Sequence, residues 1–129
     1  MTSTATPGPS PQTIVAAMIG AIERKDLDEA VTYMADDIEY DNVPMGKVFG
    51  PAAVRTTLEP FLARCRRASW EIVHQVASGD TVMNERIDRF EIGDRWVAIA
   101  VAGVFVVRDG RVVLWRDYFD LASSSDAFR

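Results

Sequence analysis

The hydrophobic positions change period partway along the chain. Ile14, Val15, Met18, Ile19 and Ile22 fall at the three-and-four spacing of one helix face. Ser10 stands before Pro11 as an N-cap with proline in the first turn, so a helix is predicted from about Pro11 to Lys25. Asp26 followed by Glu29 is a capping-box pair, and Leu27, Ala30, Val31 and Met34 continue at helical spacing as a second helix that ends at Asp36-Asp37. From Ile38 to Val43 the period drops to two, which reads as a strand. Pro44, Gly46, Gly50 and Pro51 then mark a loop. A third helix from near Pro51 offers Val54, Leu58, Phe61, Leu62 and Cys65 to the core, and Pro60 inside it is expected to kink or divide it. Beyond Ser69 the period of two returns and stays. Four strands are predicted, at Trp70 to Ala77, Thr81 to Ile92, Arg95 to Val107 and Val112 to Leu121. Turns at Ser78-Gly79-Asp80, Gly93-Asp94 and Asp109-Gly110 make them sequential antiparallel neighbours. Helices first and a strand meander afterwards predict an α+β fold. Residues 1–12 read as a disordered tail, which leaves a single domain over residues 13–129.

Composition narrows the partners. The chain has 129 residues, 48% hydrophobic and 26% charged, enough to bury one globular core. A net charge of −5, with Arg64, Arg66 and Arg67 as the one basic cluster, argues against a nucleic-acid backbone as partner. With one cysteine (Cys65) and one histidine (His74), an intrachain disulfide and a multi-Cys or multi-His metal centre are excluded. Cys65 is expected as a small buried hydrophobe, and His74 as a strand residue that packs or meets solvent. Acid–base chemistry then falls to carboxylates and tyrosine. The N-terminus lacks the basic and apolar regions of a signal peptide, and no apolar run has the length of a membrane span, so a cytoplasmic location without a membrane partner is expected. The strand Arg95 to Val107 is apolar on both faces, with Val97, Ile99, Val101 and Phe105 on one and Ala98, Ala100, Val104 and Val106 on the other. One face takes the helices, and a homodimer is the simplest cover for the second.

Strand alternation also gathers polar groups. In the last strand Val113, Trp115, Asp117 and Phe119 share a face, an apolar stripe with one carboxylate in it. Thr81 to Ile92 puts Val82, Asn84, Arg86, Asp88 and Phe90 together, and Ile38, Tyr40 and Asn42 form a third such stripe. If the three face one cavity, Tyr40, Asn42, Arg86, Asp88 and Asp117 converge. Two readings fit. In one, Arg86 is a buried counter-ion for two aspartates, and Tyr40 and Asn42 are core hydrogen-bonders. In the other, two carboxylates sharing a guanidinium are driven to different protonation states, one neutral and able to give a proton, one ionised and able to take one from water.

Tyr40-Asp41-Asn42, Glu85-Arg86-Ile87-Asp88, Gly103-Val104-Phe105 and Trp115-Arg116-Asp117-Tyr118-Phe119-Asp120, in this order and spacing, resemble the limonene-1,2-epoxide hydrolase family. The likeness runs from about Ile14 to Leu121. It implies a cone-shaped fold, a strongly curved mixed sheet covered by the N-terminal helices, as in ketosteroid isomerases and nuclear transport factor-like proteins. It implies cofactor-independent opening of a small lipophilic epoxide to a vicinal diol. Asp88 would be the general acid, Asp117 the base, Tyr40 and Asn42 the water-holding pair, and Arg86 the bridge between the aspartates. Ile19, Ile22, Leu58, Leu62, Phe90, Ile99, Val101 and Phe119 are expected to wall the substrate pocket, by strand phase and family position. Members of that family often carry a longer C-terminal segment, so with Ala127-Phe128-Arg129 as the last residues a more open mouth is expected. An isomerase or cyclase of the same fold, or a non-catalytic lipophile-binding module, are the alternatives.

Overall fold

The structure, a computed structural model, describes residues 8–128. Of the expected N-terminal tail, residues 1–7 lie outside the described residues. Pro11 and Gln12 are not tail but the first turn of helix α1 (Pro11–Glu23), because the Ser10 hydroxyl accepts the Thr13 N–H and Pro11 needs no partner there. Helix α1 buries Ile14, Val15, Met18, Ile19, Ala21 and Ile22. It ends with Lys25 in the left-handed region (φ 63°), which lets the Lys25 and Asp26 N–H groups close back on the Ile22 and Ala21 carbonyls.

Asp26 caps the short helix α2 (Leu27–Ala30) through the Glu29 N–H. The reciprocal half of the capping box does not form, since the Glu29 carboxylate takes Arg24 and the Tyr33 hydroxyl instead. A single 3-10 turn (Val31–Tyr33) then feeds directly into strand β1 (Met34–Asn42), four residues earlier than the sequence pattern predicts. Asp36 and Asp37 are exposed strand residues rather than a helix end, and Met34 is buried as the strand's first residue.

Two elements depart further from expectation. Residues read as loop contain strand β2 (Gly46–Phe49), which pairs antiparallel with β1 after a turn in which the Met45 N–H reaches the Asn42 carbonyl. Backbone pairing formed this edge strand without an apolar alternation to announce it. Helix α3 (Pro51–Ala63) runs through Pro60 undivided. The missing N–H frees only the Thr56 carbonyl, on the exposed side of the helix where water can reach it. Cys65 lies just past this helix and is buried.

The meander follows as β3 (Arg67–Ser78), β4 (Thr81–Ile92), β5 (Arg95–Arg108) and β6 (Arg111–Tyr118). Strand β6 stops before Leu121, and the chain turns into a fourth helix, α4 (Leu121–Ala127). No alternation predicts α4 because it buries no residue of its own. The six strands form one mixed sheet in the order β2-β1-β6-β5-β4-β3, with β1 parallel to β6 and every other pair antiparallel. Helices α1 and α3 lie on its inner face over one core that includes Trp70, Phe90, Phe105 and Trp115.

Two β-bulges shift the strand phase. In β6, Val106 pairs with Leu114 but Val107 with Val112, so Val113 is an extra residue. Val112, fully buried, therefore joins Trp115 in the core, and Val113 leaves the predicted stripe half-buried. In β3, Ile72 pairs with Arg86 but His74 with Glu85, so Val73 is extra. His74 comes to the exposed face beside Glu85. Gln75 turns toward the inner one.

Candidate active site

Strand β4 builds the centre. Alternation along it places Val82, Asn84, Arg86, Asp88 and Phe90 inward, and all five are buried. Arg86 has no solvent exposure. Its Nε–H donates to Asp88 Oδ1 (3.1 Å) and one Nη2–H to Asp88 Oδ2 (3.0 Å). The other Nη2–H reaches Asp117 Oδ2 (2.9 Å), and Nη1 donates to Asp117 Oδ1 (3.2 Å) and Asn84 Oδ1 (3.0 Å). The guanidinium carbon also lies 5.4 Å from the Trp70 ring and 5.9 Å from the Phe105 ring, which face a cation with π-electrons.

Asp117 reaches this arginine from two strands away. Strand β5 lies between β4 and β6, with Gly103 opposite both Asn84 and Asp117. A Cβ at Gly103 would stand 2.5 Å from Arg86 Nη1 and 2.9 Å from Asn84 Oδ1, so glycine leaves the space in which the side chains from β4 and β6 meet. Strand β1, parallel to β6, sets Tyr40 beside Trp115 and Asn42 beside Asp117. Tyr40 stacks on Trp115 (centroids 4.3 Å apart). The five polar residues predicted from alternation are thus within one cluster.

Burial sets the electrostatics. It pushes the Asp88 carboxyl up to about 6; Arg86 pulls the other way, and the carboxylates of Asp117 and Glu23 add to the rise. Burial also opposes the charge on Arg86, yet the two aspartates hold it above the ordinary arginine range. Burial and the nearby Asp117 carboxylate raise the Tyr40 phenol far above its usual value, so it remains a neutral hydroxyl. With its carboxyl pushed up to about 6, Asp88 holds its proton to higher pH than an ordinary aspartate, beside a permanent cation.

The cluster forms the floor of a cavity of about 310 Å³. Asp88, Asp117, Tyr40 and Asn42 line it, while Arg86 lies behind the two carboxylates and does not. Of the predicted walls, Leu58, Phe90, Ile99, Val101 and Phe119 are in place. Ile19, Ile22 and Leu62 are not. Helix α1 packs directly on the sheet, so Ile19 and Ile22 are spent in the closed core, and Leu62 faces a separate groove near Lys25 and Arg55. Periodicity marks a residue as buried without saying whether a cavity lies beyond it. The walls that alternation did not single out are Met45, Thr57, Phe61, Arg64, Trp70 and, from the C-terminal helix, Leu121, Ser124, Ser125 and Phe128. Phe61 and Trp70 were visible as apolar positions on their elements. The α4 residues carried no pattern at all. Where an open mouth was expected, α4 and Phe128 supply part of the wall, and Phe128 packs against Phe61 and Phe90 (4.8 and 5.5 Å between centroids).

A family model described as the limonene-1,2-epoxide hydrolase catalytic domain matches residues 9–128. Epoxide hydrolase EphG of Mycobacterium tuberculosis is 37% identical over 109 residues, covering 83% of this chain and 71% of that protein. A solved structure of a limonene-epoxide-hydrolase-like enzyme from M. tuberculosis aligns with a TM-score of 0.80 at 33% identity, over 91% of this chain and 87% of that one. An NTF2-like protein of unknown function from Burkholderia pseudomallei aligns with a TM-score of 0.80 at 17% identity, over 93% and 98% of the two chains, which shows the shared α+β fold alone. No described helix is long and apolar enough to cross a membrane. The family model matches nearly all of the described chain, and the protein belongs to the limonene-1,2-epoxide hydrolase family as one of its epoxide hydrolases.

Proposed function

We propose that the protein opens a small lipophilic epoxide, of limonene-oxide size, to a vicinal trans-diol in one step and without a cofactor. The observation that carries this is Arg86 bonded to two carboxylates that both face the same apolar cavity, with Asn42 in register with Asp117 and Tyr40 lining the cavity beside them. In this reading Asp88 gives its proton to the epoxide oxygen as the carbon–oxygen bond breaks. A water held by the Tyr40 hydroxyl, the Asn42 amide and Asp117 attacks the carbon from the opposite side and loses a proton to Asp117. The sum is one water added. Asp88 ends ionised and Asp117 protonated, and Arg86 between them stabilises either distribution until the proton returns. General acid catalysis is worth about 10²–10⁴-fold, and a positioned water removes much of the entropic cost of attack. A cavity of about 310 Å³ lies at the low end of ligand pockets, roughly 300–1,000 Å³, which favours a monoterpene-sized substrate.

The test is a single turnover in ¹⁸O-water with enzyme in excess over limonene oxide or cyclohexene oxide. Label in the diol from the first turnover supports direct attack. Unlabelled diol in that turnover would mean that an enzyme carboxylate attacked instead. Asp88→Asn and Asp117→Asn are each expected to abolish diol formation while the protein stays folded. Activity retained by either at wild-type unfolding temperature sinks the paired-carboxylate scheme.

We also propose a homodimer across the outer face of the sheet. Val76, Met83, Trp96 and Tyr118 stand exposed on that face, beside Ala98, Ala100 and Ala102.

A further inference from the structure

Arg86 presents five N–H groups on three edges of a plane. Asp88 spans the Nε/Nη2 edge and Asp117 the Nη1/Nη2 edge, each with two bonds. The third edge offers a single N–H, on Nη1, and Asn84 Oδ1 takes it at 3.0 Å. All five donors of a fully buried cation are then satisfied. A carboxylate on this edge would find no second N–H and would add a third negative charge around one positive one.

Three further features serve that contact. The Asn84 Nδ2 donates to Gln75 Oε1 (3.2 Å), which turns the amide so that its oxygen faces the arginine. Gln75 is on the inner side only because the bulge at Val73 reverses the phase of β3. Gly103 lies beneath the Nη1···Oδ1 bond and leaves room for both atoms. Asn84 is itself 5% exposed and does not line the cavity.

We propose that Asn84 is a positioning residue, a neutral clamp on the third edge of Arg86 that fixes the guanidinium plane and with it the geometry of both aspartates. The proposal deepens the hydrolase reading and rests on it for its effect on turnover. Without the clamp the Nη1 proton is left unpaired, and the plane turns to find another acceptor. The two carboxylates bound to the same plane turn with it, and misplacement of reacting groups by about 1 Å costs on the order of 10²-fold.

The test uses the full-length protein and three variants. Asn84→Ala should lower kcat about 10–100-fold with KM within about twofold of wild type, since the cavity wall is unchanged. Gln75→Leu, at a half-exposed position, keeps the acceptor and frees only its orientation, so a smaller loss of kcat, about 3–10-fold, is expected. Asn84→Asp keeps the bond and adds charge. Asp88 is already faced by Arg86, Asp117 and Glu23. A further carboxylate on Arg86 should raise the Asp88 titration by about 1 unit, read by ¹³C NMR of the side-chain carboxyl. The NMR arm needs no turnover, so it still tests the coupling of position 84 to Asp88 through Arg86 if wild-type enzyme forms no diol and the hydrolase reading fails. An Asp88 titration unmoved in folded Asn84→Asp overturns the proposal, as does a kcat within twofold of wild type for Asn84→Ala. Should Asn84→Ala fail to fold, a wild-type kcat for Gln75→Leu overturns it equally.

Discussion

At the scale of single residues, Asp88 makes the sharpest statement about pH. Its folded value of about 6 lies above the ordinary 3.8, because burial disfavours the charged form. The native state therefore holds this proton more tightly than the unfolded chain. The resulting stability is present in full below about pH 3.8 and is lost as pH rises through about 6, a change on the order of 3 kcal/mol from this group. Glu91 and Asp120, whose carboxyls are held low by Arg67 and Ser123, act in the opposite direction at lower pH. For catalysis the consequence is an alkaline limb. We expect kcat/KM to fall with rising pH around a midpoint near 6, and a profile flat from pH 5 to 8 would remove Asp88 as the acid. The polar residues of the site were legible because alternation on β1, β4 and β6 depends on backbone geometry alone. The wall residues were less so. Leu58 and Leu62 have the same helical phase credentials, yet only Leu58 faces the cavity. What separates them is the space beyond the side chain, which no local pattern records.

At the scale of elements, the C-terminal helix α4 is the piece most open to experiment. Asp120, just past the end of β6, caps it by accepting the Ala122 N–H and the Ser123 hydroxyl. Its ties to the rest of the fold include Phe128 packed on Phe61 and Phe90 and an Arg64 bond to the Phe128 carbonyl. Asp120→Ala should cost about 1 kcal/mol of local stability, or roughly fivefold in the closing equilibrium of this wall. The expected result is a KM raised up to about fivefold, with kcat and the global unfolding temperature nearly unchanged. Steady-state kinetics with limonene oxide reads this directly, and an unaltered KM would show that α4 does not help retain substrate. Helix α4 and strand β2 were the two elements invisible in the sequence. Both are short, and neither buries a residue of its own in a periodic apolar stripe. The long helix α1 and strands β4 and β5 were readable because each buries a full stripe.

At the scale of the whole molecule, the outer sheet face decides the assembly. Met83, at 50% exposure, lies on that face near the β3–β4 turn, and Val76 beside it is more exposed still. Wild-type protein should sediment as a dimer, and Met83→Glu should shift it toward monomer by placing a charge in the contact. A monomeric wild type at assay concentrations, or a dimer untouched by the substitution, would argue against this face. The sequence order of hairpins made the β3-β4-β5-β6 meander legible. The parallel pairing of β1 with β6 was not, because it joins segments about 75 residues apart and leaves no mark in either one. Its presence in the expectation came from family resemblance.

That same parallel pairing sets an order of assembly. The hairpins carrying Arg86, Asp88 and Asp117 close locally, between strands adjacent in the chain. Tyr40 and Asn42 join them only when the N-terminal third of the chain meets the last strand, and contacts of such long range are slow to form and the first to bear the entropy of opening. Arg86, Asp88 and Asp117 are thus expected to come together before Tyr40 and Asn42 join them. Activity is the signature of a molecule whose two ends have found each other.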